Sequence, residues 1–486
     1  MRKPRQTVSA PGSTIENSID FSGVLLALAA TLLPACVHAH GPRAGSPSVS
    51  VDARHSRVGD VSAGAGGERS ADADAVPEPG GESREITLAE LLAFADRNAP
   101  AMRVAMRRRG YGAAAREGAS ALLRDNASVE FSVGPRIQGG GAGDFDFTVA
   151  LGQPVEIGGQ RGLRLEAADR LSDRLDAEFV AARWELRRQV TLGYRTALVA
   201  RERVRVSESL VSFAEDMLRI ARRRLAAGEA SAIEVRIAEG DVAQARQAKI
   251  LAERDLLSIQ LSLCELTGWP IESPPLPRAG LEPPRPVAPL PSVLTLAAGR
   301  HPEIVVRRAA TAEARARAEL AEREAWPTPI FGVSVTREGR KAASTEPESY
   351  IVLGTIGLPL PLWQRNQGER ARARVDDEVA RAEETTTATA LRARIARAHA
   401  ELRAATERLQ VFTAVVTPSL EDGLALLRRG VDAGEIPLLD VAVARERFLQ
   451  MKRDALSAYE DYYRALVELE YVVGAELSAA SDGGTP

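Results

Sequence analysis

The pattern of hydrophobic positions changes along this chain from a helical period to alternation and back again, and the succession occurs twice. In each copy, a helix interrupted at a proline precedes two strands, a very long helix and a return helix. The first copy predicts these elements over residues 87–123, 128–135, 145–154, 160–226 and 231–268. The second copy predicts them over residues 292–325, 328–337, 349–358, 365–433 and 437–474.

The predicted strands each have one apolar face. Val129, Phe131 and Val133 alternate with polar or small residues, and the next strand repeats this pattern. The glycine-rich residues 139–144 predict the loop between these two strands. The alternation is less regular in residues 349–358.

The two longest helices must extend beyond any globular core. A helix over residues 160–226 spans roughly 100 Å at 1.5 Å per residue. Its apolar residues at alternating spacings of four and three form a heptad seam, typical of a coiled coil: Val206, Leu210, Phe213, Met217 and Ile220. Each long helix ends at a glycine-containing turn, so the long and return helices form a hairpin.

Three landmarks support an internal duplication, because they recur in the same order at nearly the same separation. They are the pairs Pro100 and Pro302, Pro154 and Pro359, and Gly228 and Gly434, separated by 202, 205 and 206 residues. The predicted repeats cover residues 86–269 and 292–475. Outside the repeats, the sequence predicts a disordered linker over 40–85, a proline-rich linker between the repeats over 270–291 and a disordered tail over 476–486.

Residues 1–39 are predicted to be a signal peptide. A basic start precedes an apolar run over residues 21–33, which is too short to span a bilayer as a helix. Two cleavage sites remain open. Residues 33–36 resemble a lipobox, which would make Cys36 the lipid attachment site, whereas residues 37–39 suit cleavage after Ala39.

Composition indicates a folded protein and argues against several function classes. Hydrophobic residues make up 45% of the chain, charged residues 27%, and the net charge is −3, so nothing indicates nucleic-acid binding. The five histidines are scattered and one of the two cysteines lies in the leader, so no metal site or internal disulfide is expected. No nucleophile–base pair or phosphate-binding loop is evident, so the sequence predicts a protein without enzymatic activity or cofactor.

Four strands cannot close a membrane barrel alone, because the smallest such barrels have about eight. An open sheet edge is very costly in lipid, so the strands must be shared among subunits, and a trimer supplies twelve. The predicted fold class is mainly α with a small β part: duplicated coiled-coil hairpins and four strands per chain, completing a 12-stranded β-barrel and an α-helical tunnel as a trimer.

Three motifs resemble those of the outer membrane efflux protein (TolC-like) family. Residues 86–100 resemble its opening motif, and residues 224–235 and 430–441 resemble its hairpin tips. Residues 153–161 are similar to the strand-to-helix junction in members from cobalt–zinc–cadmium exporters. The resemblance covers about residues 86–475.

This resemblance implies a homotrimeric outer-membrane channel with a periplasmic extension in a Gram-negative-type cell. It also implies three further partners: a periplasmic adaptor, an inner-membrane transporter and outer-membrane lipid. The channel would conduct substrate passively, with divalent heavy-metal cations as the favoured cargo.

Two alternatives from other classes are a periplasmic adaptor and a structural coiled-coil component of an envelope export complex. An adaptor needs only one hairpin flanked by β-rich domains, and a purely structural coiled coil does not need four strands at duplicated positions. The alternation of two hairpins with two strand pairs therefore favours the channel.

The hairpin tips are the candidate adaptor-docking sites. Gly228 and Gly434 can adopt the left-handed conformation at a helix end, and Glu229 and Glu435 follow them. The alternative interpretation is that these residues only turn the chain. Family tips meet adaptor hairpins, so the resemblance implies contact here.

Glu234 and Asp440 are candidate pore-gate residues, since each lies six residues after a tip glycine. Repeated in a trimer, they would bring six carboxylates to the narrow end, where they repel one another and attract cations. Asp440 matches an acidic constriction position of the family. Val431 and Ile436 stand where some members have a tyrosine and an arginine, so the sequence does not support that lock here. The alternative is a solvated helix face.

Overall fold

A computed structural model describes residues 84–138, 141–297, 301–339, 349–416 and 438–477, together with 423, 426, 429 and 430. The elements of the first copy are β1 (Arg84–Ile86), α1 (Leu88–Asn98), α2 (Pro100–Ser120), β2 (Ser128–Gln138), β3 (Gly141–Pro154), α3 (Gln160–Ala226) and α4 (Ala232–Thr267). Those that follow are β4 (Pro275–Pro277), α5 (Leu290–Ala297), α6 (Pro302–Arg323), β5 (Ile330–Glu338), β6 (Ser349–Gly357), α7 (Gln367–Val411), a π-helical turn (Phe412–Val416) and α8 (Leu438–Val473).

Local sequence explains where several helices begin and end. Thr87 accepts a hydrogen bond from the Glu90 backbone, and the Glu90 carboxylate accepts one from the Thr87 backbone, which forms a capping box at the start of α1. Pro100 and Pro302 occupy the first positions of α2 and α6, where a missing N–H costs nothing.

The extents of one predicted linker and one predicted loop differ from the structure. The linker predicted over residues 40–85 ends earlier, because Arg84 and Glu85 belong to β1, which pairs in parallel with β4 inside the proline-rich linker. The glycine loop predicted over residues 139–144 is shorter, because β3 begins at Gly141. Pairing with a distant strand gives the short β1 and β4 segments a structure that their local sequence does not reveal.

The strands β2, β3, β5 and β6 form one antiparallel sheet in that order. One face carries mainly apolar residues, because Phe131, Val149, Val335 and Val352 lie opposite one another across the four strands. The other face is mainly polar, although Ile351 and Leu353 of β6 break the alternation. Among the described strands, β2 and β6 each pair along one edge only.

The helices are arranged in the same order as the strands they adjoin. The long helix α3 contacts α2 and α4 of its own copy and also α6 and α8 of the other copy. The helix α7 contacts α6 and α8. One edge of this layer is therefore formed by α2 and α4, below β2, and the other by α7, below β6.

Each copy has its own hydrophobic core near the middle of the helices. In the first copy Leu91, Val190 and Leu263 are buried, and in the second copy Ile395 and Leu469 are buried. The proline-rich linker is tied to the second core through Tyr463 and Tyr462, whose hydroxyls accept hydrogen bonds from the backbones of Glu282 and Arg285 at 3.0 and 3.1 Å. Within the described ranges, no helix has the length and apolar character needed to cross a membrane.

Candidate functional site

The first hairpin tip is built on a left-handed glycine. Gly228 has φ 80° and donates its N–H to the Leu225 carbonyl at 3.0 Å, while the Glu229 N–H reaches the Arg224 carbonyl at 2.8 Å. These two bonds form a Schellman motif, which satisfies the last carbonyls of α3 and reverses the chain. The Glu229 side chain remains exposed at the turn.

Glu234, a candidate gate residue, has a local structural role. Its carboxylate accepts hydrogen bonds from the Ser231 backbone N–H at 3.2 Å and the Ser231 hydroxyl at 3.3 Å. The Ser231 hydroxyl in turn accepts from the Glu234 N–H at 3.3 Å, completing a capping box at the start of α4. The sequence contains this signal, because serine followed three residues later by glutamate precedes the helical pattern.

The second tip lies largely outside the described residues, and this includes Gly434 and Glu435. Asp440 is the third residue of α8, as Glu234 is the third residue of α4. A carboxylate in the first turn interacts favourably with the helix dipole. The two candidate gate residues therefore hold equivalent helix positions, while the Asp440 side chain is not described. Cys36 also lies outside the described residues.

Ion pairs connect the two helices of the first hairpin behind the tip. Glu239 accepts hydrogen bonds from Arg222 and Arg236, both at 2.9 Å, and these bonds lower the pKa of Glu239. Further from the turn, Arg246 pairs with Glu215 at 2.7 Å. These contacts hold α3 against α4 and so stabilise the hairpin behind its tip.

The polar face of the sheet is lined by hydroxyl and charged groups. The Thr148 and Thr336 hydroxyls lie 2.9 Å apart across β3 and β5. Toward the end distant from the helices, Arg136 pairs with Asp146 at 3.1 Å and with Glu338 at 2.7 Å. The groups on this face can form hydrogen bonds with water, whereas the apolar side chains on the opposite face cannot.

The two copies share a joint where the return helix meets the proline-interrupted helix. Gly268 has φ 75°, and a Cβ there would lie 2.7 Å from the Asn98 carbonyl oxygen. Gly474 has φ 78°, and a Cβ there would lie 3.3 Å from the His301 Cα. Both positions therefore favour glycine, at the equivalent point in each copy.

His301 is a buried residue whose role was not apparent from the sequence. Its Nδ1 accepts a hydrogen bond from the Glu303 N–H at 3.2 Å and so caps α6, and its Nε2 lies 3.2 Å from the Tyr471 carbonyl oxygen. These contacts require a neutral imidazole that donates from Nε2. Burial lowers the pKa of His301.

No cluster of three or more histidine, cysteine, aspartate or glutamate side chains suited to a metal ion occurs in the described part of the chain. Cys264 is a buried free thiol, with its Sγ 3.6 Å from the Pro270 carbonyl oxygen.

Duplicated hairpins below a sheet with one apolar face and one polar face define the protein class as an outer-membrane channel. The chain belongs to the outer membrane efflux protein family, whose model matches residues 112–269 and 293–475. It is therefore an efflux channel component of the outer membrane, and the predicted family, function and location are confirmed. Members of this family and the structural neighbours are channel and efflux proteins.

Curated relatives share parts of this sequence. The cobalt-zinc-cadmium resistance protein CzcC of Cupriavidus metallidurans is 26% identical over 336 residues, covering 67% of this chain and 77% of that protein. The pyoverdine export outer membrane protein OpmQ of Pseudomonas aeruginosa is 32% identical over 198 residues, covering 40% of each. The nickel-cobalt-cadmium resistance protein NccC of Alcaligenes xylosoxydans xylosoxydans is 28% identical over 129 residues, covering 26% of this chain and 30% of that protein.

Solved structures share the fold. The channel protein CusC aligns with a TM-score of 0.63 at 15% identity, covering 80% of this chain and 92% of its own. The outer membrane protein VceC of Vibrio cholerae aligns with a TM-score of 0.61 at 16% identity, covering 80% of this chain and 96% of its own. The predicted fold class is therefore confirmed.

Proposed function

We propose that three copies of this chain form one continuous duct that conducts divalent heavy-metal cations from the periplasm to the exterior. The observation that carries this proposal is the shared order of the sheet and the helix layer. Both layers end at the same two edges: β2 stands above α2 and α4, and β6 stands above α7. A chain with two complementary edges closes into a ring by joining the β2 edge of one copy to the β6 edge of the next.

Ring closure also places the apolar face of the sheet against lipid and the polar face against water. Phe131, Val133 and Ile356 are exposed on the apolar face, and lipid would cover them. The hydroxyls of Thr148 and Thr336 would line the water-filled side. Three copies supply twelve strands and leave no open edge in the membrane.

A double-cysteine variant tests the ring directly. Ser132 of β2 and Ile351 of β6 lie in the same register across the sheet, three strand spacings apart, which is about 14 Å. A disulfide cannot span this distance within one chain. We expect S132C/I351C, or a neighbouring register pair, to give covalent trimers on a denaturing gel.

The matched control is T148C/T336C, which joins β3 to β5 inside one chain and should leave the monomer mass unchanged. A scan of β2 and β6 positions that gives only monomers, while the control pair oxidises, contradicts the ring.

We further propose that a periplasmic adaptor docks at the hairpin tips, through Gly228, Glu229, Gly434 and Glu435, and that an inner-membrane transporter supplies the energy. The narrow turn at Gly228 and the exposed Glu229 support this assignment. Efflux proteins of this family form the outer-membrane part of a three-component pump. The tips would therefore be the part of the channel that contacts the adaptor.

The metal cargo rests on relatives, and it has its own test. CzcC and NccC are named for resistance to cobalt, cadmium, zinc or nickel, whereas OpmQ is named for pyoverdine export. We expect deletion of the gene to sensitise cells to zinc, cobalt or cadmium more than to dyes and detergents, with restoration by the intact gene. Equal sensitivity to all of these compounds would remove the metal specialisation and leave the duct in place.

A further inference from the structure

An exposed apolar segment follows β6 at the end of the sheet that adjoins the helices. We call residues 358–363 the junction segment. Its side chains are 52% (Leu358), 66% (Leu360), 58% (Leu362) and 83% (Trp363) exposed in the single chain. Trp326, just before β5, is 52% exposed at the same end of the sheet. Leucine and tryptophan at this exposure indicate a surface that something apolar covers.

The junction segment continues the lipid-facing side of β6. Val352 and Ile356 lie on the apolar face, so Leu358 and Leu360 follow them with the same alternation. The chain then bends at Pro361, where the Leu362 N–H donates to the Leu360 carbonyl at 2.9 Å. A neighbouring copy joined to the β6 edge lies beside the strand, so it leaves the outward face of the segment open.

Arginines border the junction segment on its helix side. The Arg323 guanidinium lies over the Trp326 ring, 5.5 Å from the centroid, and the Arg365 Nε donates to the Pro361 carbonyl at 3.0 Å. In the described part of the chain, neither arginine takes part in an ion pair, whereas nearby Arg370 and Arg374 share Glu322. Two guanidinium groups without a salt-bridge partner among the described residues therefore lie beside the apolar surface.

The first copy lacks this combination. At the matching place, Glu156 pairs with Arg164, and Gln160 is buried with its side chain accepting from the Gly158 N–H at 2.8 Å. Ile157 is exposed, but no tryptophan or leucine run accompanies it. The exposed surface is thus a property of the second copy and is not required for turning the chain from a strand into a long helix.

We propose that the junction segment, together with Trp326, Arg323 and Arg365, binds the headgroup layer of the periplasmic leaflet of the outer membrane, with a preference for anionic phospholipid. Leucine and tryptophan side chains enter the upper acyl and glycerol region, where amphipathic tryptophan is favoured. The guanidinium groups contact lipid phosphate. This inference rests on the proposed orientation of the sheet, with its apolar face toward lipid and its helix end toward the periplasm.

Fluorescence quenching by brominated lipids tests the contact. The full-length protein is reconstituted in phosphatidylcholine vesicles containing brominated phosphatidylglycerol, and in the reverse mixture. We expect stronger quenching by brominated phosphatidylglycerol, and the loss of most of that quenching in W326F/W363F. Equal quenching of the parent and W326F/W363F would overturn the proposal.

The charge preference has a matched control. We expect R365Q to reduce the preference for phosphatidylglycerol by about fivefold, because a surface arginine contributes about that factor at an anionic membrane. R236Q replaces an exposed arginine near the α3–α4 turn and should leave the preference unchanged. An unchanged preference in R365Q would overturn the arginine assignment.

A photo-reactive benzophenone at position 360 separates lipid from a second copy as the occupant. Cross-linking to phospholipid supports the proposal, and cross-linking to a second copy of this chain overturns it. The disulfide trimers of S132C/I351C report on the duct separately, so the two ideas can fail independently.

Discussion

Glu313 is a buried carboxylate on α6 that joins the two copies. Its side chain is 5% exposed and pairs with Arg174 of α3 and with Arg317 of its own helix. A charge at this burial is tolerated because two arginines form ion pairs with the carboxylate. The contact joins residues 139 positions apart, so no local sequence pattern could have indicated it.

We expect Glu313→Ala to destabilise the protein by about 2–3 kcal/mol, below the roughly 3–5 kcal/mol of a fully buried pair, because Arg174 still reaches solvent. The midpoint of unfolding, followed by circular dichroism in detergent, measures the change. Glu319→Ala is the control, since Glu319 is half-exposed and its pair with Arg315 contributes less than about 1 kcal/mol. Similar losses in both variants would show that Glu313 is not a joint between the copies.

His301 predicts a pH-dependent stability. Burial lowers the pKa of its imidazole, and Arg394 acts in the same direction, whereas the Tyr471 carbonyl and Glu303 oppose the shift. As pH falls through the unfolded value of about 6.5, the unfolded chain binds more protons than the folded one, so stability decreases. Asparagine is a good helix cap that does not titrate.

We therefore expect His301→Asn to lose less thermal stability than the parent between about pH 7 and pH 5. His399→Asn is the control, because His399 is only partly buried and its Nε2 lies 2.9 Å from the Ala288 carbonyl oxygen. If both variants follow the parent across this range, His301 does not carry the pH dependence.

At the scale of elements, periodicity predicted most of the fold. The alternation of Val129, Phe131 and Val133 and the heptad spacing in α3 are local, so they are visible in the sequence. The β1–β4 pair was missed because it joins two segments far apart in the chain and one of them is proline-rich. The candidate tip residues were visible as turn residues, and the capping box of Ser231 and Glu234 has a local sequence signature. The cap at His301, in contrast, depends on geometry at a helix start.

The tip glycine predicts a functional defect that is separable from folding. A bulky residue at Gly228 must adopt φ 80°, which costs about 1–2 kcal/mol, and it also widens the turn. We expect Gly228→Trp together with Gly434→Trp to abolish efflux while trimers still form. Gly240→Trp, in the helical part of α4 with open space around it, is the control for bulk. Normal metal resistance in the double variant would exclude the tips as docking sites.

The gate hypothesis for Glu234 and Asp440 needs a substitution that spares the helix cap. Glutamine at the third helical position keeps the capping box but removes the charge. We expect Glu234→Gln with Asp440→Asn to retain assembly while reducing cation selectivity and divalent-cation block in planar bilayers. Glu229→Gln, exposed at the turn, is the matched charge control. Conductance, selectivity and block identical to those of the parent would assign these carboxylates to helix capping alone.

At the scale of the whole molecule, the duplication gives one chain two similar halves, each of which resembles a subunit. Gly268 and Gly474 hold equivalent joints, yet the surroundings differ, since Ala99 precedes Pro100 in the first copy where the buried His301 precedes Pro302 in the second. The junctions below the sheet differ as well, being polar in the first copy and apolar in the second. The two halves therefore share a backbone plan while their side chains have diverged.

The divergence of the two hairpins has a consequence for stoichiometry. A ring of three chains presents six hairpins at its periplasmic end, of two kinds that alternate around the axis. The tip sequences differ: serine follows Glu229 two residues later, whereas Ile436 and Pro437 follow Glu435. A partner that recognises one kind of tip binds with three copies per ring, and a partner that recognises both kinds binds with six copies per ring. The mass of the assembled complex would therefore tell which tip carries the recognition.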